Sequence, residues 1–478
     1  MTSNFRTYLF LFFQVSFTIV LICLYYAYNT EYSSHSFAYP AISSIVPERQ
    51  FDPDEGISYY EEIIQEHNEF YVDTPEKAVT DINIRPAYRG SDHLCLSRTR
   101  SVSCLKRDKT QCLKVSFVGL CGRWSSTLRQ FPFEVTCKGT PQRKILVDHV
   151  DKPKAIENAQ IVIFSFVASY LNMDVWLALR RFRPRGQMWV FQTEESPYYA
   201  VGLLPPWNFR NDSYNTSITF HSAADIQSPY GYYEPFRNEE SNILENFTEI
   251  LAAKKNFMIW ISSHCETLHW DRTRFVKDLQ RSMRVDIFGR CGNDSLCKTR
   301  WQDNCVQEVD DFVKSYKFIL SLENSCCEDY VTEKLWHSFT VGTVPVVIGP
   351  RIENYERLAP PGSFIHVDQF SSVESLRDYL KHLDKNDTAY LEYFKWKKLG
   401  KVREHTIKEH YQNHVSDENI CTVVDQYFER QNSAEKLKMF DPYGPRWKGL
   451  CHQCGRNSWI QNYQFPLDHE RKNPWIWA

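Results

Sequence analysis

Beyond Cys95 the chain alternates short apolar runs with longer polar or helically spaced segments. The runs Val115–Gly119, Ile145–Val147, Ile161–Phe166, Met188–Phe191, Phe257–Ile261, Val285–Phe288, Phe318–Leu322, Val344–Ile348 and Phe364–Val367 are rich in Val, Ile and Phe. They predict strands buried on both faces. Strands that alternate with helix-length segments make a parallel α/β architecture. The pattern is weakest over Pro235–Lys255, which is polar, and a boundary there divides residues 91–245 from 246–420. The expected fold is two Rossmann-like domains facing across a cleft, followed by a Cys-containing tail at 421–478. Near the end of the second domain, Ser371 and Glu374 read as a capping box, with Leu376, Leu380 and Leu383 continuing at helical spacing. Ligands of open parallel sheets collect at the carboxyl ends of strands, so the loops after Phe191, Ile261, Phe288 and Leu322 are the places to look for chemistry.

At the other end, Tyr8–Tyr28 carries no charge over 21 residues. At 1.5 Å per residue that crosses roughly 30 Å of hydrocarbon. Tyr25-Tyr26-Ala27-Tyr28 offers no small-x-small cleavage site, which favours an uncleaved signal anchor over a signal peptide. Arg6 before the span and Glu31 after it predict residues 1–7 in the cytoplasm and the bulk in the lumen, as in a single-pass type II membrane protein. Residues 29–90 lack periodicity and are acidic from Glu48 to Glu76, as a stem would be, with a short helix possible near Tyr59–Phe70. Fourteen of the 15 cysteines lie beyond the span, and sequons stand at Asn211, Asn215, Asn246, Asn293 and Asn386. Both suit an oxidising, glycosylating compartment. The 478 residues suffice for two domains, and a net charge of −3 without a basic run excludes a nucleic-acid footprint.

Tyr316–Pro350 is the most informative segment, reading YKFILSLENSCCEDYVTEKLWHSFTVGTVPVVIGP. A strand ends at Leu322, a polar loop follows, and a helix is predicted over Thr332–Val341, closed by Gly342. A helix start offers backbone N–H groups and a positive dipole end to a diphosphate. Lys334 adds a full charge there, and Glu333 can accept from ribose hydroxyls. The bland alternative makes both of them solvated first-turn residues.

The segment resembles the donor-binding motif of the α1,3/α1,4-fucosyltransferases, glycosyltransferase family 10. The fixed elements are Glu323, Asn324, Ser325, Tyr330, Val331, Thr332, Glu333, Lys334, Pro345 and Gly349. Asn354–Arg357, Pro360–Asp368 and Tyr390–Trp396 continue the likeness, which in this second domain is nearest the Lewis-type animal enzymes. The resemblance implies a Golgi membrane enzyme whose two domains face each other in the GT-B manner, with a GDP-fucose site made by Asn324, Tyr330, Glu333 and Lys334. Upstream, Ile261–His264, Asp271–Arg274 and Val285–Gly289 match the family's series, which implies that Arg272 grips the pyrophosphate, with Arg274 as the alternative. A guanidinium fork suits that task. In the first domain, Trp189–Phe191, Glu195-Ser196-Pro197 and Ser228–Tyr233 look like the family's remaining segments and imply Glu195 as catalytic base. Its neighbour Glu194 is the structural alternative.

The implied reaction is an inverting transfer of L-fucose from GDP-β-L-fucose to a glycan acceptor on glycoprotein or glycolipid, an α1,3 linkage to a GlcNAc hydroxyl being the leading expectation. Other expectations are a protein-hydroxyl acceptor and a silent lumenal sugar-binding protein with the same fold. Single displacement needs one carboxylate base, its pKa raised by burial. No metal or cofactor is required, although divalent cations could stimulate. Asp52-Pro53-Asp54, the one tempting metal motif, lies in the stem with no strand before it.

Two departures stand out. Where the family carries Tyr-Arg before its Pro-Tyr-Gly, this chain has Phe220-His221, so the acceptor side differs; His221 reads best as a structural group. Cys451 and Cys454 stand far into the tail, and disulfides to Cys95, Cys104 or Cys112 suit them better than a zinc site with His452 or His469. The vicinal Cys326 and Cys327 read as structural or buried thiols rather than catalytic ones.

Overall fold

A computed structural model describes residues 112–465 except 120–130, 140–141, 151, 166–170, 172, 238–246, 266–268, 293–302, 405–415 and 433–438. The expected cytoplasmic segment, anchor, stem, stem helix and Asp52-Pro53-Asp54, together with Cys95, Cys104, His469, the sequons at Asn246 and Asn293 and the 245/246 boundary, lie outside the described residues.

Every predicted strand is present, with ends moved by a residue or two. In chain order they are β1 (Leu113–Val118), β2 (Phe133–Cys137), β3 (Arg143–His149), β4 (Ile161–Ser165), β5 (Met188–Gln192), β6 (Thr216–Thr219), β7 (Ile226–Gln227), β8 (Gly231–Pro235), β9 (Asn256–Ile261), β10 (Asp286–Phe288), β11 (Tyr316–Leu322), β12 (Val344–Ile348), β13 (Ile365–His366) and β14 (Gly400–Glu404). The first sheet has the order β2-β3-β1-β4-β5-β6-β7 and the second β10-β9-β11-β12-β13. All their pairings are parallel except β2 with β3. The unbroken apolar runs of β4, β5 and β12 are buried at every position, as strands covered on both faces must be.

The strands that the pattern missed are short, polar or charged. β6 and β7 together contain more Thr, Ser and Gln than aliphatic residues, and β8 pairs antiparallel with β14 as a ribbon outside both sheets. Glycine makes that ribbon possible. A Cβ on Gly231 would lie 2.6 Å from the Trp336 ring, and one on Gly400 would lie 2.5 Å from the Glu234 carbonyl oxygen.

Helix Met173–Arg181 lays Trp176 and Leu179 on one face of the first sheet. The opposite face is covered by helix Asp417–Asn432, whose Ile420, Val423 and Val424 recur at helical spacing and join Ile145, Val147, Ile163 and Val190. Cys421 therefore does not stand in a free tail: it pairs with Cys137 of β2, 284 residues earlier. The expected partners of the last cysteines are also corrected. Cys451 bonds Cys327 and Cys454 bonds Cys326, so the vicinal pair is oxidised and clips the loop after β11 to the C-terminal segment. Cys112 is disulfide-bonded elsewhere. The zinc alternative falls with these pairings, because disulfide sulfurs are no longer thiolate ligands. A smaller correction concerns the capping box, made by Ser372 and Ser375 instead of Ser371 and Glu374. Serine at both 371 and 372 leaves the register open in sequence, and the extended backbone at Ser372 selects the second.

One core cluster joins the two halves: Trp189, Phe191 and Tyr214 from the first pack with Tyr330, Trp336 and Trp447 from the second half and its C-terminal segment. Aromatic burial on this scale, at roughly 25 cal/mol per Å² of apolar surface, fixes how the two strand ends meet.

Candidate active site

The carboxyl ends of β5 and β11 send their loops toward one another. After Gln192 the chain turns, and the Thr193 hydroxyl accepts from the Glu195 N–H at 3.1 Å while the Tyr230 hydroxyl donates to the Glu194 carbonyl at 2.8 Å. These two bonds set the turn. The Glu195 carboxylate then accepts from the Tyr330 hydroxyl at 2.8 Å, and Ser196 and Ser325 share a hydrogen bond of 2.7 Å. Both contacts cross from one half to the other. Burial pushes the Glu195 carboxyl above the ordinary range, against the pull of the Tyr330 hydrogen bond, Lys334 and Asn324, with Glu333 adding to the rise.

On the facing side, β11 ends at Leu322 and Glu323 follows, almost fully buried at 1% exposed. Its carboxylate accepts from the Thr332 N–H at 2.8 Å and hydroxyl at 2.7 Å, and lies 3.2 Å from the Lys334 ammonium. Lys334 also donates to the Thr332 hydroxyl at 2.7 Å and to Glu333 at 3.1 Å. Burial lowers the Lys334 pKa, but Glu323 and Glu333 outweigh it and hold the ammonium charged. The helix starts where expected, at Glu333, with Thr332 as its extended N-cap residue. The Thr332 side chain makes no cap bond to the helix, because Glu323 engages its hydroxyl. Gly349 completes this floor: a Cβ there would lie 2.8 Å from the Glu323 Cγ.

Arg272 opens helix Arg272–Gln280 and is 7% exposed. Its guanidinium donates to the Leu322 carbonyl at the end of β11 and to the His264 carbonyl after β9, both at 3.1 Å. Five donors sit on that fork, so two backbone bonds aim it without exhausting it. Burial lowers its pKa, opposed by Tyr199, Glu323, Tyr330 and Glu333. Lys334 and Arg272 thus belong to one electrostatic neighbourhood with Glu195. The alternative Arg274 is turned toward Asn462 and lies over the Tyr463 ring at 5.3 Å. Asn324 accepts from the Ser325 hydroxyl at 3.0 Å and contributes to the field at Glu195.

Sequence reasoning missed two participants. Glu323 was legible only as a motif letter, and nothing in the chain's pattern announces a buried carboxylate that clamps a lysine. Tyr199 sits in the loop after β5 and interacts electrostatically with Arg272, Glu195 and Lys334, while burial raises its pKa to about 12. No motif contains it. His221 proves structural: its Nδ1 accepts from the Ala223 N–H at 3.1 Å, and its Nε2 lies 3.8 Å from Asp329. Asp329 stands at φ 60° and also receives the Ser222 N–H at 3.0 Å, the Asn354 amide and Arg357, so it ties the two halves beside the site. Among the described residues no group of three or more His, Cys, Asp or Glu side chains is arranged to hold a metal ion.

A strand-end carboxylate here stands close to a clamped lysine and a buried arginine. The profile described as glycosyltransferase family 10 (fucosyltransferase) C-term matches residues 251–441, and fucosyltransferase, N-terminal, matches 124–231. The chain belongs to glycosyltransferase family 10. It is 38% identical over 225 residues to alpha-(1,3)-fucosyltransferase 4 of Bos taurus, covering 46% of this chain and 52% of that one. To the Homo sapiens protein of the same name it is 37% identical over 268 residues, 53% and 45% of the two chains. The chain thus spans about half the length of these curated relatives. A solved alpha1,3-fucosyltransferase with GDP-fucose aligns at a TM-score of 0.40 and 19% identity, covering 69% of this chain and 93% of that one.

Proposed function

We propose that the protein is an inverting fucosyltransferase of the Golgi lumen, held by a single N-terminal span, that moves fucose from GDP-β-L-fucose to a GlcNAc hydroxyl with an α1,3 linkage. The observation that carries this reading is the meeting of Glu195, on a strand end of one half, with Tyr330 of the other beside Lys334 and Arg272. The relatives' names point to fucosyl transfer and to the linkage, the motif resemblance points to the donor, and the chemistry follows from the side chains. In the reading, the acceptor hydroxyl binds against Glu195, which takes its proton as the oxygen attacks the anomeric carbon from the face opposite GDP. The new glycosidic bond forms as the bond to the diphosphate oxygen breaks, and GDP leaves with the added negative charge. Lys334, Arg272 and the N–H groups at the start of helix Glu333–Thr340 meet that charge. Glu333 accepts from the ribose hydroxyls, and Asn324 and Tyr330 border the donor.

Glu195 suits the base role because burial makes its carboxylate more basic than an exposed one, while the Tyr330 hydroxyl keeps it aimed. The decisive experiment combines labelled GDP-fucose, an N-acetyllactosamine acceptor and linkage analysis of the product. An α1,3-fucosylated product with parent protein, and none with Glu195→Gln that still binds GDP, supports the reading. Unimpaired transfer by Glu195→Gln sinks it.

A further inference from the structure

The tyrosine hydroxyls around the site are used by the protein itself. Tyr330 donates to the Glu195 carboxylate, Tyr230 to the Glu194 carbonyl, Tyr214 to the Leu203 carbonyl and Tyr443 to the Pro205 carbonyl. Tyr199 differs. It is half-buried, yet its hydroxyl makes no hydrogen bond to the described residues. Its backbone is fixed all the same. The Tyr199 and Ala200 N–H groups both donate to the Ser196 carbonyl at 2.9 Å, and the Ser196 side chain shares the 2.7 Å bond with Ser325. Tyr199 is thereby held where the loop after β5 meets the loop after β11. The adjacent Tyr198 ring lies against His269, with centroids 4.2 Å apart. The charged groups that act on Tyr199 are instead Arg272, Glu195 and Lys334, and after burial Tyr199 has the largest electrostatic effect on the Arg272 guanidinium.

An unused O–H near a guanidinium with N–H groups to spare offers donors from both halves to one anionic acceptor. The choice of side chain matters there. A cation so near Glu195 would stabilise its carboxylate and weaken it as a base, whereas a neutral phenol can hold an anion without adding charge. We propose that the Tyr199 hydroxyl is the first half's contact with the leaving diphosphate, donating to an oxygen of the phosphate that carries fucose. As the bond from the sugar C1 to that phosphate breaks, its electron pair stays on the diphosphate oxygen. Tyr199 keeps its proton and its hydrogen bond strengthens as the charge grows, while Glu195 takes the proton of the acceptor hydroxyl. The inference rests on the fucosyl-transfer reading and adds to it a donor-binding group from the half that otherwise supplies only the base.

GDP and GMP test it on the full chain, because GMP lacks the phosphate in question. Tyr199→Phe should weaken GDP binding by roughly 10- to 100-fold and leave GMP binding within about twofold. Transfer from GDP-fucose should fall at least as far, with the KM for acceptor unchanged. A loss of GDP affinity no larger than the loss of GMP affinity overturns the proposal, since a merely structural tyrosine would affect both nucleotides alike. If the phenylalanine variant does not fold, 3-fluorotyrosine placed at position 199 keeps the hydroxyl and carries the test. Its ¹⁹F resonance should move on addition of GDP and not of GMP, and a signal that does not distinguish the two overturns the proposal. The underlying reading fails separately: parent protein that binds neither GDP nor GDP-fucose refutes fucosyl transfer, and the role of Tyr199 falls with it. Parent protein that transfers fucose, beside a phenylalanine variant with undiminished GDP affinity, refutes the role of Tyr199 alone.

Discussion

In the second half of the molecule the candidate site is nearly one continuous segment, Glu323 to Lys334, carried between β11 and a helix. In the first half Glu195 stands almost alone, and the groups that orient it come from elsewhere: Thr193 beside it, Tyr230 ahead of β8, and Tyr330 from the opposite half. The difference shows where rigidity comes from. The donor-side loop is stiffened internally by a buried carboxylate and externally by disulfides to Cys451 and Cys454. The loop after β5 is held by Thr193 and Tyr230 within its own half and by Tyr330 and Ser325 across from it. A site divided in this way links Glu195 to the loop after β11 through hydrogen bonds that cross between the halves.

That contrast can be broken most severely at Glu195. Glu195→Gln should cut transfer by about 10²- to 10⁴-fold while GDP binding, followed calorimetrically, persists. Stability should move the other way. The folded pKa of Glu195 lies above its unfolded value, so its proton-linked contribution is present below the unfolded pKa and is lost as pH rises through the folded one. A permanently neutral glutamine removes that loss, so the variant should melt no lower than the parent at neutral pH, and any advantage should vanish in acid. A melting point well below the parent's at neutral pH would contradict the burial argument.

Next in size is Glu323→Ala, which takes from Lys334 its buried carboxylate partner, leaving Glu333, and frees Thr332. It should destabilise the protein by about 3–5 kcal/mol in denaturant titrations and weaken GDP binding together with it. Equal GDP affinity in folded variant protein would show that the clamp does not position Lys334. Replacing Cys326, Cys327, Cys451 and Cys454 by serine should cost about 2–4 kcal/mol per bond at most and raise the KM for donor more than that for acceptor. Equal changes in both would mean that the clip serves the whole fold rather than the donor loop. Tyr330→Phe removes the hydrogen bond that favours the Glu195 carboxylate, so the acid limb of the transfer profile should move to higher pH. An unmoved limb would separate Glu195 from that role. The smallest effect belongs to Arg143→Ala, whose 2.7 Å pair with Asp425 is solvent-accessible on both sides; a loss below about 1 kcal/mol is expected.

The residues bear out why one half was easier to read. Donor-side groups lie close together in the chain, so local order, a strand, a loop and a helix start, already places Glu333 and Lys334 on one rim. The apolar runs settled the parallel strands for the same reason: burial on both faces leaves a mark on every consecutive residue. Polar edge strands such as Thr216–Thr219 leave no such mark. Neither does a helix such as Asp417–Asn432, whose apolar positions say that it packs but not on which sheet.

By itself, then, the sequence determined the α/β class, the positions of the apolar strands, the start of the donor-side helix and the family. Tertiary structure alone decided that Tyr330 reaches Glu195, that Glu323 clamps Lys334, and that Cys326 and Cys327 pair with the far end of the chain. The physical reason is range. Strand and helix patterns record each residue's own burial, whereas a hydrogen bond, ion pair or disulfide between distant residues depends on how two elements dock, and no single position along the chain encodes that.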